Sequence, residues 1–317
     1  HPPAPTEIYT NTESSAASDV YKRQLEGTAR LFQANIVDSG SNQIRDDFKR
    51  DEIWTDGRNQ QTVKEAGGVL TLTNNDPPRN RMTFEYMDAL ERALTAAAQD
   101  RDVRVLVITA AGDEHFSVGM DLKQLMTGAG ERGGFEAVLD QRGRVLAAIE
   151  HLRKPSIATL FGYCLGGGLE LPLACHFRLA ADSGARIGLP ELELGTVPAW
   201  GGTARLTRCV GRDQALDMIL RARKIDGRRA HEIGLVQELH ALPDLKSAAQ
   251  ALARELAAMP PVAVAGVLDC VIGAGDATID EALAAERRAV VACAGTRDQA
   301  EGMRAFLEKR PAVFTGE

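Results

Sequence analysis

Two glutamates occupy positions where they could act together on one small molecule. Glu170 comes three residues after Gly167, in the first turn of a helix predicted over LELPLACHF, and residues three apart share a helix face. Glu191 follows Pro190 in the turn-rich segment IGLPELELGTVPAWGG. Two carboxyl groups can take a proton from water and return one to carbon, which is general acid–base chemistry. Taken singly, Glu170 also fits a partner of the helix dipole, and Glu191 also fits a solvated loop carboxylate.

The glycines ahead of Glu170 predict a place for negative charge. Gly166, Gly167 and Gly168 follow a predicted strand and open the helix, so bare backbone N–H groups at its positive end can approach a ligand closely. This geometry fits an oxyanion or a phosphate. The spacing is not GxGxxG and no Walker lysine follows, which disfavours dinucleotide and nucleoside triphosphate sites. A turn for tight helix–strand packing is the alternative interpretation of the three glycines.

The elements that must position these residues alternate between strands and helices. Apolar, β-branched runs predict strands, and Thr83 is suited to cap a helix. The order β, α, β, α, β with buried strands predicts an α/β fold with parallel crossovers. The predicted elements are a strand at 69–75, a helix from Thr83 to about Ala98, a strand at 103–110, glycine-containing turns at 116–122 and 127–134, a helix at 135–151 and a strand at 155–162.

Changes in composition divide the chain into four predicted segments. Residues 1–24 have no apolar signal region and resemble a translated adapter, so we expect a non-native tail. Residues 25–66 form a polar lead-in, either a hairpin or a loose arm. Residues 67–242 are predicted to form the core. Residues 243–317 repeat apolar positions every three or four residues and predict a smaller helical subdomain.

Composition excludes several classes of function. The net charge of -7 argues against a general nucleic-acid binder, because such binding relies on Lys and Arg neutralising phosphates. No apolar run is long enough to predict a membrane helix, and no CxxC or HExxH spacing predicts a metal site. The odd, scattered set of 5 cysteines is typical of reduced thiols. We therefore expect a cytoplasmic protein, or a mitochondrial one in a eukaryote, with no nucleic-acid or membrane partner.

Three runs resemble motifs of the crotonase superfamily. The first oxyanion signature resembles FSVGMDLKQL, and the second resembles FGYCLGGGLELPLAC. The catalytic loop resembles IGLPELELGTVPAWGGTARLTR, and the similarity extends from about Val69 to Phe314. Several motifs in the family's order are far more specific than one. The resemblance implies a crotonase-like core, a superhelix of ββα units, followed by a C-terminal helical subdomain.

The resemblance also implies roles for individual residues. The oxyanion amides fall at Met120 and Gly167, Glu170 activates water, and Glu191 delivers a proton to C2. The implied activity is enoyl-CoA hydration, the syn addition of water to 2-enoyl-CoA thioesters. No metal or cofactor is implied, because coenzyme A is part of the substrate. Substrate and coenzyme A contacts are implied at the following positions: Asp121, Leu122, Lys123, Gly166, Ala199, Trp200, Phe306 and Lys309. The family further implies a homotrimer or a hexamer built through the C-terminal helices.

Two departures from the family pattern leave alternatives open. Met120 stands where a smaller residue is common, and Ala199 stands where hydratases often have glycine, so the acyl preference is not fixed by the resemblance. The nearest alternatives are double-bond isomerisation, dehydration of a hydroxyacyl-CoA and decarboxylation. A non-catalytic acyl-CoA binder is more distant. Relatives that only shift double bonds commonly lack one of the two acids, so the presence of both Glu170 and Glu191 favours hydration.

Overall fold

A computed structural model describes residues 54–56, 60–65 and 67–317, so the predicted tail at 1–24 and most of the lead-in lie outside the described residues. The strands are β1 (Trp54–Asp56), β2 (Gln60–Glu65), β3 (Val69–Asn74), β4 (Val105–Ala110), β5 (Ser156–Leu160), β6 (Tyr163–Leu165), β7 (Phe177–Ala181), β8 (Arg186–Gly188) and β9 (Glu238–His240). The helices are α1 (Phe84–Gln99), α2 (Leu122–Gly128), α3 (Phe135–Glu150), α4 (Gly167–Ala174), α5 (Gly202–Val210), α6 (Arg212–Leu220), α7 (Gly227–Glu232), α8 (Leu242–Ala257), α9 (Pro261–Gly273), α10 (Ile279–Cys293) and α11 (Arg297–Glu308).

A seven-stranded sheet in the order β1-β2-β3-β4-β5-β7-β9 forms the centre of the described chain. Strands β3, β4, β5, β7 and β9 run parallel to one another. Every residue of β4 and β5 is buried, as expected for parallel strands whose two faces are both covered. The predicted strands and the α/β class are confirmed.

Local capping accounts for the first long helix. The backbone N–H of Tyr86 donates to the Thr83 hydroxyl at 3.1 Å, which satisfies one of the donors that a helix start leaves free. The helix α1 then buries one apolar face, including Tyr86, Leu90 and Leu94, and ends at Gln99. The predicted cap and helix are confirmed.

The described part of the lead-in is a hairpin joined to the sheet. Strand β1 pairs antiparallel with β2, and β2 pairs antiparallel with β3 from Gln60 opposite Asn74 to Glu65 opposite Val69. Of the two interpretations of the lead-in, the hairpin is confirmed for these residues. The sheet therefore starts before residue 67, the predicted beginning of the core.

Helix α8 belongs to the core and not to the C-terminal subdomain. Its buried stripe, Leu245, Ala249 and Ala253, has no exposed surface and packs on the parallel strands. The Gln250 side-chain amide donates to the Thr71 hydroxyl of β3 at 2.7 Å. The boundary predicted at residue 243 is therefore wrong by one helix, because an amphipathic pattern does not show which layer its apolar face covers.

Helices α9 and α10 form a close pair at the C-terminal end. A Cβ atom on Gly266 would lie 2.9 Å from the Cβ of Ala289, so the two backbones approach closely because Gly266 has no side chain. Their outer faces expose Val267, Val271 and Val290. Among the described residues, no single helix has the length and apolar composition of a membrane span; α8 and α9 meet that criterion only together, with a 109° bend between them.

Candidate active site

Glu170 is held in the first turn of α4 by the backbone of a neighbouring loop. Its side chain is 2% exposed, and one carboxyl oxygen, Oε1, accepts from the N–H groups of Trp200 at 2.8 Å and Gly202 at 2.9 Å. A Cβ atom on Gly202 would lie 2.8 Å from the same oxygen, so glycine at that position permits the contact. The carboxyl group is thus fixed in place within a buried site.

Glu191 brings a second carboxyl group to the start of α4. It opens the short 3-10 turn Glu191–Leu194, and its Oε2 atom is buried without a hydrogen-bond partner. A Cβ atom on Gly166, the residue that caps α4, would lie 3.1 Å from Glu191 Oε1. Gly166 has φ of 56°, a backbone conformation that favours glycine. The orphan oxygen of Glu191 is therefore available to a water molecule or a substrate.

Burial raises the pKa of both acids. The pKa of Glu170 rises to about 7, chiefly because burial disfavours the charged form and further because Glu191 is close; the N–H groups of Trp200 and Gly202 and the charge of Arg205 oppose the rise. Burial likewise raises the pKa of Glu191 above its usual range. Two interacting carboxyl groups with raised pKa can hold one proton between them near neutral pH.

The turn that carries Met120 packs against the start of α4. Ser117 N donates to Tyr163 O at 2.9 Å and Leu165 N donates to Ser117 O at 3.1 Å, so this segment pairs alongside β6. Gly119 has φ of 91°, and a Cβ atom there would lie 2.7 Å from Leu165 O and 3.4 Å from Gly167 N. The structure therefore brings the segment preceding Met120 into contact with the residue that begins α4.

Trp200 joins the acids to the glycine turn. It is 5% exposed, and a Cβ atom on Gly167 would lie 2.3 Å from its Cζ3 atom, so the indole packs directly on Gly167. Its carbonyl accepts from Arg205 at 2.8 Å, and Arg205 also bonds Glu150 at 2.7 Å. Sequence patterns gave Arg205 no role, although it lies within the loop motif; the structure shows that it anchors the loop whose N–H groups hold Glu170.

The three residues after Met120 differ in their contacts and exposure. Asp121 caps α2 by accepting from Gln124 N at 3.1 Å, and it pairs with Arg81 at 2.7 Å. Both carboxyl oxygens thus accept bonds within the protein, and contact of Asp121 with the substrate remains a prediction. Lys123 and Leu122 are exposed on α2, close to this turn in the chain.

The remaining predicted contacts lie on two surfaces. Ala199 is exposed in the loop next to Trp200. Phe306 is 83% exposed on α11, and Lys309 ends that helix in a left-handed conformation with φ of 54°. The side chains of Phe306 and Lys309 face solvent, and any contact with coenzyme A remains a prediction.

One charged residue near Trp200, Arg142, is not predicted by the sequence motifs. Arg142 of α3 has no exposed surface, and its guanidinium carbon lies over the Trp200 ring, 5.7 Å from the ring centroid. The signal that points to it is periodicity. Arg142 belongs to the buried stripe of α3, which consists of Val138, Arg142, Val145, Leu146 and Ile149.

Comparison with known proteins identifies the family. The model of the family described as enoyl-CoA hydratase/isomerase matches residues 64–317. A Mycobacterium tuberculosis protein named "Probable enoyl-CoA hydratase echA8" is 36% identical over 248 residues, covering 78% of this chain and 94% of the relative. A short-chain-enoyl-CoA hydratase of Clostridium acetobutylicum is 33% identical over 256 residues, covering 80% and 96%.

Solved structures agree with the sequence relatives. The crystal structure of an enoyl-CoA hydratase from Bacillus anthracis superposes with a TM-score of 0.78 at 31% identity, covering 82% of this chain and all of that one. The enoyl-CoA hydratase of Geobacillus kaustophilus gives a TM-score of 0.78 at 29% identity. The resemblance drawn from the three motifs is thereby confirmed, and the crotonase fold with it. The chain belongs to the enoyl-CoA hydratase/isomerase family of the crotonase superfamily.

Proposed function

We propose that this family member is an enoyl-CoA hydratase, which adds water syn across the C2–C3 double bond of 2-enoyl-CoA thioesters. The observation that carries the proposal is the pair of acids, Glu170 and Glu191, with raised pKa values at the start of α4. The names of the relatives from Mycobacterium tuberculosis and Clostridium acetobutylicum support the same activity.

The electrons released by attack at C3 are accepted by the thioester oxygen. We assign the amide N–H groups of Met120 and Gly167 as its donors. Gly167 begins α4, so its N–H has no acceptor within the helix, and the preceding turn closes against it. Two such donors aimed at a developing oxyanion typically stabilise it by about 3 to 4 kcal/mol each.

The two acids divide the movement of protons. Ionised Glu170 takes a proton from water as the water oxygen bonds to C3, and protonated Glu191 gives a proton to C2. Transfer of a proton back to Glu191 then resets the pair, so water is consumed and nothing else is required. The N–H groups of Trp200 and Gly202 hold Glu170 in position throughout. The raised pKa of each acid supports this sharing of one proton.

Coenzyme A enters as part of the substrate. We assign the exposed ammonium group of Lys123, at the start of α2, to its phosphates. We further propose a homotrimer or hexamer, in which Phe306 and Lys309 reach the coenzyme A site of a neighbouring subunit. The exposed valines on α9 and α10 support such an assembly, because contiguous apolar surface typically marks a subunit interface.

A side-by-side assay of two substrates tests the proposed reaction. Crotonyl-CoA and 3-butenoyl-CoA are each incubated with the protein, and the absorbance of the conjugated thioester is followed. Hydration removes absorbance from the first substrate and creates none from the second. A gain of absorbance from 3-butenoyl-CoA without loss from crotonyl-CoA would instead support an isomerase. Tight binding of both without turnover would support the acyl-CoA binder.

A further inference from the structure

Two nitrogens of the Arg142 guanidinium group, Nε and Nη2, have no hydrogen-bond partner in the described protein. The side chain has no exposed surface; Nη1 donates to the side-chain carbonyl of Gln141, whereas Nε and Nη2 are buried without a hydrogen-bond partner in the described chain. A buried donor without an acceptor is costly, and more so on a charged group. Native proteins rarely retain such groups unless a ligand or water satisfies them.

The nearby carboxylates do not occupy that edge. Asp88 and Glu91 on α1 accept from the Gln141 amide at 2.7 and 2.9 Å instead of from Arg142. Burial lowers the pKa of Arg142 to about 10, although the charges of Asp88 and Glu91 oppose the shift, so the guanidinium stays cationic at neutral pH. The α1 carboxylates thus help to keep the charge in place and leave Nε and Nη2 to another partner.

The location of Arg142 connects it with the proposed thioester site. Its guanidinium carbon lies 5.7 Å from the centroid of the Trp200 ring and 5.5 Å from that of Phe84. The Trp200 indole packs directly on Gly167, the residue whose N–H is assigned to the thioester oxygen. The Trp200 indole therefore lies beside both Gly167 and Arg142. Because Arg142 has no exposed surface, Phe84 or Trp200 must shift for an acyl chain bound at Gly167 to reach it.

The two unpaired nitrogens of Arg142 indicate which chemical group would bind there. Nε and Nη2 lie along one edge of the planar guanidinium, where a carboxylate can accept two parallel hydrogen bonds. We propose that Arg142 binds a carboxylate at the far end of the acyl group, so that the preferred substrates are enoyl-CoA thioesters of dicarboxylic acids. The inference rests on the proposed function and names the substrate class of the same site. A substrate with an alkyl tail would leave Nε and Nη2 unpaired, so we expect it to react less efficiently than the diacid.

Matched substrate pairs test the inference. Glutaconyl-CoA is compared with 2-pentenoyl-CoA, and 2-hexenedioyl-CoA with 2-hexenoyl-CoA; each pair has equal carbon number and differs in the terminal carboxylate. Since charge-assisted bidentate bonds are strong, kcat/KM should favour the diacid of at least one pair by about 10-fold or more. Arg142→Met should reduce this ratio to about one or below, and Arg142→Lys, which keeps the charge without the fork, should give an intermediate ratio.

Stability separates recognition from a packing role. Methionine replaces an unpaired buried charge with an apolar chain of similar length, so Arg142→Met should melt at or above the wild-type temperature. A lower melting temperature together with an unchanged diacid ratio would overturn the inference. If Arg142→Met does not fold, the ratio measured for Arg142→Lys decides the question in the same way.

Binding of saturated analogues distinguishes failure of this inference from failure of the proposed function. Glutaryl-CoA and pentanoyl-CoA are titrated calorimetrically into the wild type and Arg142→Met. Arg142-dependent preference for glutaryl-CoA supports the inference even if no enoyl-CoA is hydrated, in which case only the proposed function fails. Hydration of both members of each pair with equal kcat/KM, and equal binding of the two analogues, would leave the proposed function intact and overturn the inference.

Discussion

Replacing Glu170 by glutamine separates the chemistry of this carboxyl group from its packing. The amide oxygen of glutamine can still accept from Trp200 N and Gly202 N, as Glu170 Oε1 does at 2.8 and 2.9 Å. Glutamine cannot take a proton from water. Because general acid–base groups typically contribute about 100- to 10,000-fold, we expect kcat for crotonyl-CoA hydration to fall by that range while the fold is kept.

The same substitution should change how stability depends on pH. The pKa of Glu170 rises from 4.5 to about 7 in the folded protein, so between these pH values the folded state holds a proton that the unfolded state releases. Stability therefore falls as pH rises through this window. The loss attributable to Glu170 grows from below about 1 kcal/mol at pH 5 to about 3 kcal/mol at pH 8. Glutamine does not titrate, so this loss is absent from the variant.

Urea unfolding of both proteins at pH 5 and pH 8, at one protein concentration, measures the difference. We expect the free energy of unfolding of Glu170→Gln, relative to that of the wild type, to be larger at pH 8 than at pH 5 by about 2.5 kcal/mol, because the variant escapes the loss of stability that the wild type suffers. The control is Glu193→Gln, since Glu193 is exposed and bonds Lys224 at 2.7 Å. A stability difference that does not change with pH would refute the raised pKa of Glu170, and a wild-type kcat would refute its role as the base.

Three further predictions concern other parts of the structure. Glu191→Gln should lower kcat by about 100- to 10,000-fold. The double variant with Glu170→Gln should be little slower than the worse single variant, because both acids serve one reaction, and additive losses in steady-state kinetics would contradict this. Gly167→Ala should destabilise by about 1 to 3 kcal/mol in thermal unfolding, because its Cβ would lie 2.3 Å from Trp200 Cζ3, whereas Gly143→Ala, where no atom lies within 4 Å, should not destabilise. Val267→Asp, on a residue 60% exposed, should yield monomers in sedimentation, and an unaltered assembly would exclude this face as the interface.

Much of the fold could be predicted because local chemistry and tertiary packing favour the same structure. The strand at Val105–Ala110 is apolar except for Thr109, and it is buried on both faces. Thr83 caps a helix because its hydroxyl accepts a bond that the helix start requires. The boundary predicted at 243 differs from the structure because an apolar stripe predicts a helix but not its packing partner. The stripe of Leu245, Ala249 and Ala253 packs on the sheet, which the sequence pattern does not show.

The candidate site was predictable only as far as its motifs extend. The resemblance of the motifs predicted roles for Glu170, Glu191 and the turn at Met120, and the structure brings Glu170 and Glu191 together at the start of α4. The loop contacts that fix Glu170 and the burial that raises its pKa depend on residues distant in sequence, so spacing does not reveal them. Asp121 illustrates the limit, because its partner Arg81 comes from a segment 40 residues earlier.

Three buried polar groups lie near the start of α4 and the Trp200 ring. Glu170 is buried with a raised pKa, Glu191 has an orphan oxygen, and Arg142 has two orphan nitrogens, and each of these features lowers stability. Pairing Arg142 with an acid would remove part of that cost, but a bonded cation would also lower the pKa of the acid and prevent it from holding a proton near neutral pH. The cation that acts on Glu170 is Arg205, whose charge is already shared with Glu150. In the proposed mechanism, the separation of the acids from Arg142 thus preserves proton transfer at one end of the acyl chain and leaves a cation for the substrate carboxylate at the other.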